Sequence, residues 1–519
     1  MMTKTELAAQ AAMEACSPDH TARLNGEGHP FWNTEASQFL YTPSFQFQGV
    51  YGCYSYLYTA IDETGKEHTF TAREPSVSLS PIWGELPGGV VQLRVDALDK
   101  DGAVRFPVGA RTFFKLNPFP ADLPPAACSY RECAVRAYDF AFNMPSTQDW
   151  LEHGVPDLDY NLNVYPSKIY GAVIGGMLRY AKLRPERAEA AMKIAKNAAD
   201  YLLRISEAAD APLAFLPPTY YIDFRSNPET RQNLTAADRL GTMMMIYPAF
   251  VGSAYLQMEE ATGEKKYFDG ALRIAEFYKN HVLDSGSWSV ILSRETGEAV
   301  SRNLCMPLMD IVPFLMAMFR RTGDTAWKDL ADGAVAYVER EVLPRFDWEG
   351  QFEDSRISAN YSNLSHYGAG AFVQHYAAYY ADDEAHMRIA DDVMRFVEDQ
   401  FVVWNRPSPW VYPGYPTEKW TTPAGLEQYK WYMPIDASTS AIMLNFLSMY
   451  DAGRGELHLA KARALADVLT RVQMENGQIP THWMNESEEG AGFWINCHLS
   501  SAAALFTLDS YLREHGIEE

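Results

Sequence analysis

The chain lacks any long apolar run. It has no stretch of 18 apolar residues, and its opening Met-Met-Thr-Lys-Thr-Glu carries no hydrophobic signal core. That speaks against a bilayer-spanning helix and makes a cytoplasmic location the expectation. Cysteine is scarce, with six residues in 519 and no CxxC spacing. This argues against a disulfide framework and for free thiols in a reducing compartment. No HExxH motif occurs, and loose pairs such as Asp382 with His386 or His482 with Glu486 lack a third ligand, so no metal or other cofactor is expected. Positive charge is also in deficit: 44 Lys and Arg face 67 Asp and Glu, for a net charge of −23. Nucleic acid and acidic membrane surfaces are poor partners for such a chain. An anionic small molecule stays open, because a few cations in a cleft set the local field.

Apolar helices are abundant. Ile169–Tyr180, Met243–Leu256, Leu308–Phe319, Tyr367–Tyr380, Ala441–Tyr450 and Leu499–Tyr511 are hydrophobic nearly all round, as helices buried on every side are. Between them, Glu186–Ile205, Lys265–Val282, Ala326–Val342, Glu384–Phe401 and Leu457–Val472 alternate apolar and charged positions at helical spacing, with Glu132–Phe142 as a weaker sixth. The alternation repeats every 60–70 residues or so, which reads as stacked supersecondary units. Six inner and six outer helices close naturally into an (α/α)6 toroid; an open helical solenoid is the alternative.

Long loops connect the units at one end: residues 146–166, 208–237, 284–304, 344–363, 403–434 and 474–495. They hold nine of the twelve Trp residues: Trp150, Trp288, Trp348, Trp404, Trp410, Trp420, Trp431, Trp483 and Trp494. Loops of this length are uncommon unless functional, and aromatics gathered with carboxylates on them suggest a sugar-binding face. For any single Trp, anchoring its own loop is the commoner role.

Residues 1–34 read as an N-terminal extension. Over 35–120 the pattern changes to short, alternating, β-branched and aromatic segments: Phe39–Gln48, Cys53–Ile61, His68–Ala72, Ser76–Trp83, Val90–Ala97 and Thr112–Leu116. This is the pattern of a small β-sandwich, similar to fibronectin type III modules. A Pro-rich linker leads into a helical domain over 121–519. The expected fold is therefore mainly α, an (α/α)6 toroid preceded by a β-sandwich.

A β-sandwich followed by such a toroid resembles the six-hairpin glycosidase group and its relatives among polysaccharide lyases and sugar epimerases. Three sets of residues are similar to uronic-acid-active members: Trp288-Ser289-Val290 with Thr296-Gly297-Glu298; Asn363-Leu364-Ser365-His366-Tyr367; and Glu427-Gln428-Tyr429 leading to Pro434-Ile435-Asp436-Ala437-Ser438. The resemblance implies a carbohydrate-active enzyme without naming its chemistry, since one fold hosts many.

Hydrolysis of a glycosidic bond needs two carboxyl groups. The preferred pair takes one member from Glu353 and Asp354 and the other from Glu427 and Asp436, all where long loops meet inner helices. Asp436 alone reads equally as a helix N-cap. Elimination would instead use His366 and Tyr367 as base and acid, with Asn363 and Arg356 holding a substrate carboxylate. Asp159, Arg225, Trp288, Trp431, His482, Trp494 and His498 complete the expected substrate contacts, the arginines being suited to an anionic sugar. The expectation is a glycoside hydrolase acting from the end of a short oligosaccharide that carries a uronic acid. The alternatives are a lyase, a sugar epimerase or isomerase, and a non-catalytic sugar-binding protein. The oligosaccharide is the one partner expected; homo-oligomerisation is left open.

Overall fold

The computed structural model describes residues 2–20, 36–157, 159–222, 239–300, 311–348, 365–410, 417–428, 431–483 and 493–518, with the backbone alone at 428, 431 and 432. The protein is mainly helical. It forms two compact units. One comprises Met1–Pro125, Glu341–Asp347 and Leu364–Val468, the other Ala126–Arg340, Trp348–Asn363 and Leu469–Glu519.

The first unit opens with α1 (Lys4–Cys16), started by a capping box in which Thr3 and Glu6 satisfy each other's backbone N–H groups. A single five-stranded sheet follows: β1 (Gln38–Phe39), β2 (Ser55–Ile61), β3 (Glu67–Ala72), β4 (Gly89–Leu98) and β5 (Val104–Lys115), in the order β1-β5-β4-β2-β3. Only β1 runs parallel to its neighbour. Three expectations are corrected here. Among the described residues of 35–120, the strands form one sheet and not the two of a sandwich. Of the segment Ser76–Trp83, the half Ser80–Trp83 is a helical turn, since Pro81 in its first turn cannot donate to a strand ladder and suits a helix start. Likewise Phe39–Gln48 keeps only its first residue in a strand.

The second unit contains α2 (Tyr130–Asn143), α3 (Pro145–Glu152), α4 (Pro166–Leu183), α5 (Ala188–Ile205), α6 (Tyr247–Thr262), α7 (Lys265–Asn280), α8 (Ile311–Thr322) and α9 (Thr325–Tyr337), with a two-stranded sheet of β6 (Thr242–Met244) and β7 (Ile291–Ser293). In the first unit lie α10 (His366–Tyr379), α11 (Glu384–Phe401), α12 (Asp436–Asp451) and α13 (Glu456–Val472), and α14 (Ile495–Glu514) returns to the second. Local chemistry sets the helix starts. Pro166 opens α4, Ser129 caps α2 by accepting from Glu132 N–H, and Asp383 caps α11 by accepting from Ala385 and His386.

In the second unit the apolar helices pack side by side, α14 on α4, α4 on α6 and α6 on α8. Glycine permits the closest approaches: a Cβ at Gly176 would lie 2.8 Å from Leu499, and one at Gly252 2.5 Å from Phe314. The amphipathic helices cover this row, α2 against α14, α5 against α4, α7 against α6 and α9 against α8. The first unit repeats the arrangement, with α10 packed on α12 and α11 against α10. The edge of its sheet docks on the end of α11. Gln38 and Gln400 exchange side-chain to carbonyl hydrogen bonds of 3.1 and 2.9 Å, and Leu40 and Tyr41 donate their N–H groups to the Asp399 carboxylate.

Candidate functional site

Two parallel inner helices of the first unit begin side by side. Tyr367 Oη and Ser438 Oγ lie 3.3 Å apart, and two turns further Gln374 Nε2 donates to Asn445 Oδ1 at 2.6 Å. Both pairs are 71 residues apart in sequence, so α10 and α12 run in the same direction and in register. Their N-termini therefore meet at one corner, where each helix also presents its positive dipole end.

His366 is the first residue of α10 and is 0% exposed. Tyr367 and Phe401 flank its ring, with centroids 4.1 and 5.7 Å away. Among the described residues, neither ring nitrogen has a hydrogen-bond partner. Burial pulls its pKa down to about 3, so the imidazole stays neutral and keeps a lone pair available.

Asp436 is the first residue of α12 and is also fully buried. The N-cap position belongs to Ile435, which makes no side-chain capping bond. The capping role weighed for Asp436 is therefore not the one it plays, although its charge still suits the helix dipole.

Glu427 approaches the same helix end from a strand. A small sheet, β8 (Val402–Val403), β9 (Ala424–Gln428) and β10 (Trp431–Pro434), precedes α12 in the order β10-β9-β8. Gly425 N–H donates to Thr439 Oγ1 at 2.8 Å, and Ile435 N–H donates to Gly425 O at 3.0 Å. A Cβ at Gly425 would fall 2.6 Å from Thr439 N, so this face of β9 lies directly on the first turn of α12. Residues two apart in a strand share a face. Half-buried Glu427 thus shares with Gly425 the face of β9 that meets α12. The two helix starts bring together the Asp436 carboxyl group, the neutral His366 imidazole and the Tyr367–Ser438 pair, and the strand that carries Glu427 packs on the start of α12.

Other expected site residues lie elsewhere. Glu353, Asp354, Arg356, Asn363 and Arg225 fall outside the described residues, as does the side chain of Trp431. Trp288 is a core residue, 1% exposed, with its indole N–H donating to Tyr278 O at 2.8 Å. That corrects its expected role, since no ring face is left for a ligand. Trp150, Trp348, Trp404 and Trp483 are buried in the same way, because a large indole stabilises a long loop most by filling the core beneath it.

His498 is corrected too. It accepts from Ile479 N–H at Nδ1 and pairs with Ala137 O through Nε2 at 2.8 Å, so both nitrogens are committed to holding the backbone. Burial lowers its pKa to about 4. His482 is likewise held neutral by burial, at about 4. Asp159 is exposed in a turn where its N–H donates to Asp157. Arg294, another arginine on a long loop, is committed to Glu207 and the carbonyl of Leu240.

Trp494, by contrast, is partly exposed in the second unit. Its ring lies 5.6 Å from that of Tyr165, and Lys168 Nζ sits 4.4 Å over it. Tyr165 and Lys168 were not among the expected site residues, and Ser438 was named only as the end of the Pro434–Ser438 segment. Tyr165 could have been found, because it stands just before Pro166 as Trp494 stands just before α14. Asp149, Glu152 and His153 are the one trio among the described residues with metal-ligand spacing; two of the three are exposed, and the trio marks no site. No described helix is long and apolar enough to cross a membrane.

No family model matches the chain, and no curated protein matches it either. Solved structures do. D-mannose isomerase is 12% identical with a TM-score of 0.51, covering 74% of this chain and 97% of its own. Cellobiose 2-epimerase from Spirochaeta thermophila DSM 6192 is 12% identical with a TM-score of 0.50, covering 74% and 98%. A family 76 glycoside hydrolase from a bovine Bacteroides thetaiotaomicron strain is 8% identical with a TM-score of 0.48, covering 88% and 93%. At these identities the likeness is one of fold alone.

Proposed function

We propose that the protein is a glycoside hydrolase acting on a short oligosaccharide, with Glu427 and Asp436 as its carboxyl pair. What supports this is the packing of β9, the strand that carries Glu427, on the first turn of α12, the helix that begins with Asp436. One carboxyl group donates a proton to the leaving oxygen, and the other activates water or attacks the sugar directly. Tyr367 and Ser438, hydrogen-bonded to each other, are placed to bind sugar hydroxyls. A terminal uronic acid and a cytoplasmic setting belong to this reading as well.

A second reading, a sugar isomerase or epimerase, is favoured by a different observation. His366 is neutral and has an uncommitted lone pair, which suits proton abstraction next to a carbonyl. The likeness to D-mannose isomerase and cellobiose 2-epimerase agrees with it at the level of fold.

One experiment separates the two. The protein is incubated in deuterium oxide with neutral and uronic-acid mono- and oligosaccharides, and products are followed by NMR and ultraviolet absorbance. New reducing ends without deuterium at carbon 2 support hydrolysis. Deuterium at carbon 2 with no new reducing ends overturns it in favour of isomerisation or epimerisation. Rising absorbance from unsaturated uronates overturns both in favour of elimination by His366 and Tyr367.

A further inference from the structure

Two of the six cysteines stand together at the start of α2. Cys128 immediately precedes the capping residue Ser129, and Cys133 is the fourth residue of the helix. These two positions face each other across a first helical turn, where an apolar pair usually packs. Here both are thiols. The Cys133 S–H donates to the Cys128 sulfur, and the Arg136 guanidinium donates to that same sulfur from the next turn. The two differ in access: Cys128 is half-buried and Cys133 is fully buried. Cys133 is held in place by its own N–H donating to Ser129 O at 2.9 Å and by Gln473 Nε2 donating to its carbonyl at 2.9 Å.

We propose that Cys128 and Cys133 form a peroxide-reactive dithiol, with Cys128 as the attacking sulfur and Cys133 as the resolving one. The neighbouring groups give the two thiols opposite characters. The hydrogen bond from Cys133 is the main influence that brings the Cys128 pKa down to about 7; Arg136 adds to it, against burial and Glu132. The same bond, seen from the donor's side, raises Cys133. In the first step the Cys128 thiolate attacks one oxygen of hydrogen peroxide. The O–O bond breaks, and the departing hydroxide takes a proton to become water, leaving a sulfenic acid. In the second step the Cys133 sulfur attacks the Cys128 sulfur. The S–O bond breaks, the S–S bond forms, and hydroxide leaves with the Cys133 proton as a second water. Two thiols are oxidised by two electrons and one peroxide is reduced to two waters.

The test treats the full chain, fully reduced, with limiting hydrogen peroxide in the presence of dimedone, then maps all six cysteines by mass spectrometry after trypsin. Cleavage at Arg131 separates the two cysteines, so a disulfide appears as a linked pair of peptides two hydrogens lighter than their sum. The expected result is this linked pair as the first product, with Cys16, Cys53, Cys305 and Cys497 still reduced. In Cys133→Ser the reaction should stop at a dimedone adduct on Cys128, and in Cys128→Ser the buried Cys133 should stay reduced. Earlier oxidation of any other cysteine in the wild type, or a dimedone adduct on wild-type Cys128 without the linked pair, would overturn the proposal.

Discussion

Lys461 Nζ lies 2.6 Å from Glu398 Oε2, with both side chains buried. The same carboxylate accepts from Tyr41 Oη at 2.8 Å and from Trp404 Nε1 at 2.9 Å. Two charges taken out of water are tolerable only when paired and fully hydrogen-bonded. The four residues come from the segment after β1, from α11, from the start of a long loop and from α13, and the carboxylate joins them at one point.

Lys461→Met should therefore destabilise the first unit by about 3–5 kcal/mol, the usual cost of leaving a buried charge without its partner. Urea unfolding followed by tryptophan fluorescence checks this. Combining it with Glu398→Leu should recover part of the loss, because the double change removes the orphaned charge. A double variant no better than the single one would show that packing, not charge, holds this point.

Stability should fall on mild acidification, and His366 contributes to the slope. Its folded pKa of about 3 lies below the ordinary 6.5, so between these values the unfolded chain binds a proton that the folded chain refuses. The folded state is favoured above pH 6.5 and loses that advantage as pH falls toward 3. His458 behaves alike at about 3, held down first by burial and then by Lys461 and Arg454, and His482 and His498 at about 4. Urea midpoints measured from pH 7.5 to 4.5 should decline, and His366→Gln should flatten the decline. An unchanged slope would mean that His366 is protonated in the folded protein.

Asp436→Asn should lower kcat/KM by about 10²–10⁴-fold, the range for losing a positioned acid or base, with the circular dichroism spectrum unchanged. Glu427→Gln should match it. Tyr367→Phe removes one hydrogen bond and should cost only about 2- to 10-fold. Equal effects in all three would mean that the corner acts through its structure and not through its carboxyl groups.

Gly425→Ala probes the placement of Glu427. The added methyl meets backbone on α12, which cannot turn aside as a side chain can. Overpacking of this kind costs about 1–3 kcal/mol. Because β9 must lift from the helix to make room, activity should fall further than stability does. Differential scanning calorimetry beside the substrate assay checks both.

Much of the helical pattern was legible because its causes are local. Pro166, Ser129 and Asp383 mark helix starts by their own chemistry, and segments such as Ile169–Tyr180 announce burial by being apolar on every side. The rest depends on tertiary packing. The exposed appearance of Trp288 in a polar loop hides a partner, Tyr278, that only the fold brings beneath it. His498 finds Ala137 across 361 residues, which no spacing rule could supply. The pairing of β1 with β5 joins residues at opposite ends of the sheet segment, and the Pro81 turn replaced a strand that composition alone suggested. Asp436 was singled out as a candidate, yet its full burial was not legible in the sequence.

The reciprocal bonds between Gln38 and Gln400 span 362 residues of chain. During synthesis at roughly 5–20 residues per second, the edge strand β1 would wait on the order of 20–70 s for its docking site on α11 to leave the ribosome. Throughout that interval the backbone N–H groups of Leu40 and Tyr41 lack the Asp399 carboxylate that receives them. An open strand edge in a nascent chain is a template for pairing with other chains. The first unit is thus completed late, after most of the second has been made, and its N-terminal sheet is the part of the molecule with most to gain from a chaperone.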